Sequence, residues 1–237
     1  METRRSDQFL EENVSIVNHP ILTISAIALD FDFVTSNPSK SRADEIRILL
    51  VKNKKPPRKS KEGKPGGFGL PTGQLESKEN MLEAVKRETR DESGCSVKRI
   101  IGKLFVVNKR LVIDDSPVPN EIHVFLIEAS EPLSRIREID EIDGSIEPWV
   151  PLRQVFEMPF AQDKGGGNKN PNGIYYMHLK RLYNAVESMV FSPEDLIEGE
   201  TVKQWLKPNR ESLISAMANL EWDGLLNRLL PQEEDVS

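Results

Sequence analysis

The chain has 237 residues, enough for one domain with additions or two small ones, and its 38% hydrophobic and 30% charged content is that of a soluble globular protein. With 32 Lys and Arg against 38 Asp and Glu the net charge is −6, which gives nucleic acid or an anionic membrane no global attraction. No apolar run approaches the ~20 residues that span a bilayer, METRRSDQFLEENVS lacks the apolar core of a secretory signal, and the single cysteine, Cys95, excludes an internal disulfide, so a cytoplasmic protein is expected.

Residues 21–33, ILTISAIALDFDF, read as a strand from their β-branched residues and partial alternation. Residues 46–52, IRILLVK, read as a second strand. The run NKKPPRKSKEGKPGG that follows is a loop by composition, with Lys54, Lys55, Arg58, Lys59, Lys61 and Lys64 opposite the single acid Glu62. It is either a solvated insertion or a basic lid that attracts polyphosphate. In the second case Lys52, Lys54, Arg58 and Lys64 are the candidate phosphate-binding cations.

From about Lys78 to Ser93 there is no Gly or Pro, and Glu, Lys, Arg, Leu and Ala dominate, so a helix is expected, with Ser77 as N-cap and Gly94 as left-handed C-cap. Met81, Leu82, Val85 and Thr89 fall on one side at the 3.6-residue period. Glu88, Asp91 and Glu92 stand at i, i+3 and i+4 and share a face beside that apolar stripe. Three acids at the border of a core repel one another and are costly to bury. The pattern is either a solvated acidic face or a site for a hard divalent cation such as Mg²⁺, which prefers carboxylate and water oxygens.

Beyond the helix, residues 96–107 and 121–129 read as strands joined by the turn-like DDSPVPN. An acidic loop at about 130–147, containing Glu138, Asp140, Glu141, Asp143 and Glu147, ends at PWVPLRQVF. The polar AQDKGGGNKNPNG is read as a flexible linker, and IYYMHLKRLYNAVESMV as an amphipathic helix that offers Met177, Leu179, Leu182, Val186 and Met189 to the core. His178 lies on that helix in a surface or packing role, and with His19 and His123 isolated no histidine metal cluster is evident. Residues 192–230 are expected to be helical again, with Asn209 after Pro208 as a helix start and Leu213, Ile214, Met217 and Leu220 on the apolar face. This tail either covers the core or forms a homodimer contact.

The segment Gly73–Cys95, GQLESKENMLEAVKRETRDESGC, reads G-x5-E-x7-R-E-T-R-D-E-S-G-C. It resembles the signature of the Nudix hydrolases, G-x5-E-x7-R-E-U-x-E-E-x-G-U, where U is a bulky aliphatic residue. Gly73, Glu79, Arg87, Glu88, Glu92 and Gly94 match. Asp91 keeps the charge of a glutamate on a shorter stem, and Thr89 and Cys95 replace aliphatics with smaller residues.

The resemblance implies an α/β fold, a Nudix-type α/β/α sandwich with a mixed β-sheet, here followed by a helical C-terminal extension. The expected division is an N-terminal arm at 1–15, a Nudix hydrolase domain at 16–190 and the extension at 191–237, with a disordered end. The resemblance also implies Mg²⁺, with Mn²⁺ as substitute, held by the Gly73 carbonyl and the carboxylates of Glu88, Asp91 and Glu92. Arg87 would orient a catalytic glutamate, with Glu79 as its ion-pair partner and Glu88 as the candidate general base. Glu141 or Asp143 would add a ligand or a base. The implied activity is hydrolysis of a nucleoside diphosphate linked to another moiety X, giving a nucleoside monophosphate and phospho-X. The region KRLVI carries neither the proline nor the tyrosine that marks some substrate classes of the family. The alternative is a catalytically inactive sensor on the same fold. An isoprenoid diphosphate isomerase would need a cysteine outside the box, and Cys95 is inside it.

Overall fold

The computed structural model describes residues 20–31, 46–53, 66–113, 116–132, 148–161, 170–191, 200–218 and 222–229. Strand β1 (Ile21–Asp30) is the centre of the sheet. On one edge it runs parallel to β7 (Ser116–Pro132), with Ile21 opposite Asn120 through Ala28 opposite Ile127. Its other edge is shared end to end. Strand β5 (Thr72–Gln74) pairs with Thr23–Ser25, and β2 (Arg47–Leu49) pairs with Leu29 and Asp30, both antiparallel. Strand β6 (Cys95–Ile113) pairs with β7, and β8 (Trp149–Pro151) with β2, giving the order β6-β7-β1-β2-β8 with β5 beside β1. Strands β3 (Val51–Lys52) and β4 (Phe68–Gly69) form a separate pair.

Alternation along β1 explains the three layers. Ile24, Ala26 and Ala28 share a cluster with Ala84 and Val85 of α1 (Met81–Ser93), together with Cys95, Phe125, Ile127 and Trp149. Ile27 and Leu29 face the other way, into a larger cluster with Leu179, Leu182, Val186 and Met189 of α3 (Tyr176–Phe191). A strand covered on both faces is expected to be apolar throughout. Each fully buried Ile or Leu here contributes roughly 1.5–3 kcal/mol. The sheet is mixed, with helices on both faces, as the sequence pattern implies.

Three boundaries differ from the sequence reading. Helix α1 starts at Met81 rather than Lys78, because Asn80 accepts from the Leu82 and Glu83 N–H groups while Glu83 accepts from Asn80 N–H. Lys78 has φ 70°, which no helical residue adopts. Leu82 lies off the buried stripe of Ala84, Val85, Thr89 and Ser93 and is 49% exposed. The run 46–52 divides at Leu50, whose N–H turns to Pro148, so β2 joins the main sheet and β3 joins β4. The β6–β7 hairpin extends well beyond the expected strands. Two of its prolines, Pro117 and Pro119, lie before Asn120, where β7 has only β6 as a ladder partner and a missing N–H can face outward.

The C-terminal segment covers the core. Helix α4 (Glu200–Met217) runs through Pro208, and Asn209 does not begin it but donates to the Trp205 carbonyl from inside. Val202 of α4 packs so closely on Gly102 of β6 that a Cβ there would collide with it. Trp205 stacks edge-on against Phe31 at 5.6 Å and donates to Glu128 at 3.0 Å. Helix α5 (Trp222–Leu229) is tied to the end of α2 (Leu152–Glu157): Arg228 donates to the carbonyls of Phe156 and Met158, and the Leu229 carbonyl accepts from Tyr176.

Candidate metal centre

The asparagine capping box at Asn80 and the left-handed Gly94 (φ 71°) fix both ends of α1. Between them the buried stripe Ala84, Val85, Thr89 and Ser93 sets the helix rotation against β1. That rotation delivers Glu88 and Glu92 to the short strand that begins at Thr72. A Cβ at Gly73 would overlap the Glu88 carboxylate, so the acid lies directly on the glycine Cα. Glu92 accepts the Thr72 N–H at 2.9 Å. The Thr72 hydroxyl donates to the Leu70 carbonyl and meets Ser25 Oγ at 2.9 Å, which holds this segment against β1.

Arg87 joins the parts. Its Nε and Nη2 make a two-pronged contact with Glu79, each at 2.8 Å, Nη2 also donates to the Gln74 carbonyl, and Nη1 reaches Glu88 at 2.6 Å. Glu76 stands 3.5 Å from Nη1. The Arg87 hydrogen bonds hold the Glu79 carboxyl at a pKa of about 2, and the Arg87 guanidinium is itself shifted upward by Glu79 and Glu88. Glu88 moves the other way. Burial raises its pKa above the ordinary carboxylate value, and the Arg87 contact only partly offsets this.

Asp91 is placed differently from its two neighbours. It pairs with Arg90 at 2.9 Å and its side chain is 45% exposed. Among the described residues, no three of His, Cys, Asp and Glu converge on one point. Two carboxylates that meet at a backbone segment still suit Mg²⁺, which keeps several waters and uses one or two carboxylates together with substrate phosphates. Glu88 and Glu92 are the two carboxylates that meet at this segment.

Of the expected phosphate-binding cations, Lys52 is buried with its ammonium 4.2 Å from the Phe68 ring centre. Lys54, Arg58 and Lys64 lie outside the described residues, as do Glu141 and Asp143. His178 has a packing role: its Nδ1 accepts the Leu70 N–H at 2.9 Å, and burial with the Arg181 and Lys109 charges holds its pKa at about 3. A cleft of about 550 Å³, lined by Phe68, Trp149, Gln154, Glu157 and Met158 among others, includes none of the box acids. The sequence reading missed Thr72, whose role is a backbone N–H that no motif records. It also missed Arg181, a buried cation on an otherwise apolar helix face.

A family model described as NUDIX domain matches residues 37–168. Solved structures with a similar fold include a MutT NUDIX hydrolase from Burkholderia pseudomallei, with 23% identity, 62% of this chain and 93% of that one covered, and a TM-score of 0.41. The NUDIX domain of Shewanella oneidensis NrtR complexed with ADP ribose shares 16% identity, with 73% and 90% covered and a TM-score of 0.44. The structure of Shewanella oneidensis NrtR shares 15%, with 88% and 84% covered and a TM-score of 0.46. No curated protein matches the chain.

Proposed function

This chain belongs to the Nudix family, and within it we propose a Mg²⁺-dependent pyrophosphohydrolase that splits a nucleoside diphosphate linked to another moiety into a nucleoside monophosphate and a phosphorylated remainder. The observation that carries this reading is the convergence of Arg87 on Glu79, the Gln74 carbonyl and Glu88, with Glu88 resting on Gly73. A structural ion pair would need neither the bare glycine nor a second part-buried acid.

Glu88, Glu92 and the Gly73 carbonyl would hold the cation, with Asp91 joining by turning away from Arg90. When bound, the cation supplies Lewis acidity to the phosphoanhydride and lowers the pKa of water. The rest falls to the chain. Glu92, fixed by the Thr72 N–H, sets the height of the site above β5. Glu88 takes the proton of the attacking water as the new P–O bond forms and the anhydride P–O bond breaks. Arg87 fixes the orientation of Glu88, and Glu79 fixes Arg87. No described helix is long and apolar enough to cross a membrane, and we place the protein in the cytoplasm, where the buried thiol of Cys95 stays reduced.

The test is phosphate release from a panel of nucleoside diphosphate derivatives with Mg²⁺ or Mn²⁺, coupled to a phosphatase, beside Glu92→Gln. Metal-dependent turnover lost in the variant is the expected result. Binding of one compound with no turnover of any would replace the hydrolase with a nucleotide sensor.

A further inference from the structure

Away from the box acids, α3 and β6 carry a group of opposite charge. Arg181 of α3 is 5% exposed, and its Nε and Nη1 are buried with no hydrogen-bond partner among the described residues. Lys109 of β6 and His178 lie within its electrostatic reach, and Lys180 adds a further charge toward Lys109. No acid among the described residues pairs with Arg181 or Lys109. Burial and these mutual charges lower Lys109 to a pKa of about 8, and burial lowers Arg181 to about 10.

Polar groups stand on the neighbouring elements. Lys109 stands opposite Asn120, whose Oδ1 accepts from the buried Thr23 hydroxyl. His178, one turn before Arg181, is locked to Leu70, and Leu70 is linked through Thr72 to Glu92. His178, which feels the Arg181 and Lys109 charges, and the acid Glu92 therefore hold one short stretch of backbone between them. A buried guanidinium without a counter-charge is strongly destabilising, and like charges gathered around it add to the cost. Such a group persists where a bound anion completes it, and a guanidinium fork beside an ammonium suits a phosphate oxyanion.

We propose that Arg181 and Lys109, with Lys180 at the rim, form a binding site for a phosphate-type oxyanion, separate from the diphosphate position at Glu88 and Glu92. The identity of the ligand rests on the pyrophosphohydrolase reading: the site takes a further phosphate of the substrate, beyond the anhydride that is cut.

Full-length protein in EDTA, titrated with inorganic phosphate and followed by thermal melting and ³¹P line broadening, tests the site without turnover. Wild type and Glu92→Gln should both show saturable binding, since neither the metal nor the reaction is needed. Arg181→Met should weaken binding at least tenfold and, without phosphate, melt no lower than wild type. Lys109→Met, on a half-buried strand position, should weaken binding severalfold and serves if Arg181→Met does not fold. Absence of saturable binding to wild type, or unchanged affinity in both variants, overturns the proposal whether or not the protein proves to be a hydrolase. A second arm compares KM for substrates with and without an extra phosphate. A rise in Lys109→Met confined to the former assigns the site to substrate, and an equal response to added free phosphate on all substrates assigns it to phosphate itself.

Discussion

The Glu88 carboxylate lies on the Cα of Gly73, in space that any side chain at position 73 would fill. The acid and the glycine are fifteen positions apart in sequence and meet because α1 packs beside β5. Gly73→Ala should therefore displace Glu88 while leaving the helix and its caps intact. A misplacement of about 1 Å at a reacting group costs on the order of 10²-fold, so kcat should fall by about that factor with an unchanged far-ultraviolet circular dichroism spectrum. Near wild-type kcat in Gly73→Ala would remove Glu88 from the mechanism.

Glu92→Gln keeps an oxygen that can accept the Thr72 N–H but removes the charge. Loss of an electrostatic contribution of this kind costs on the order of 10²–10³-fold. The expected outcome is that loss in kcat with an unfolding midpoint close to wild type. An unfolding midpoint that drops with activity would show that the residue is structural.

Glu79 ionises at about 2 in the folded chain and near 4.5 when unfolded, because Arg87 hydrogen-bonds its charged form. A lowered carboxyl pKa contributes stability that is fully present above pH 4.5 and is lost as the pH falls toward 2. Urea midpoints measured across that window should decline more steeply for wild type than for Glu79→Gln. Parallel curves would mean that the pair contributes no net stability.

Clustered acids on α1 predict a response to metal without substrate. A ligand at about 100 times its Kd stabilises by about 2.7 kcal/mol, which for a chain of this size corresponds to about 5–10 °C. Mg²⁺ should raise the melting temperature by that order, EDTA should reverse it, and Glu92→Gln should respond far less. Identical melting curves with and without Mg²⁺ would count against a site on α1.

Trp205 tests the attachment of the C-terminal helices. It is buried, stacks on Phe31 and donates to Glu128. Truncating a buried tryptophan to alanine costs about 3–5 kcal/mol. Trp205→Ala should show that loss in a single urea transition monitored by circular dichroism. Two separated transitions would show that α4 and α5 unfold independently of the sheet.

Helix α1 was legible because i, i+3 and i+4 spacing is a direct map of one helical face, and because Gly94 can end a helix in only a few ways. Its start was not. Ser77 and Asn80 are both good caps, and the choice fell to Asn80 because Glu83 stands three residues later to close the box. The apolar run 46–52 could not show its division at Leu50, since hydrophobicity reports burial and not the identity of the pairing strand. Pro208 looked like a boundary, yet α4 passes through it, held by packing of Val202, Trp205 and Leu206 on one side and Leu213 and Met217 on the other. Asp91 shares the acidic face by spacing but pairs outward with Arg90, because side-chain direction is decided by neighbours that periodicity ignores.

The clasp of α5 on Phe156 and Met158 bears on how the protein is made. Synthesis proceeds from the N-terminus, so β1, β7 and α3 leave the ribosome before the residues that finish their cover. Val202 of α4 packs on Gly102 of β6, and Ile101, Leu104 and Leu126 share one cluster with Val202, Trp205 and Leu206, so that side of the sheet lacks its cover until α4 emerges. The nascent chain thus passes through a stage with a nearly complete sheet and an open apolar face, which is the kind of surface that chaperones bind.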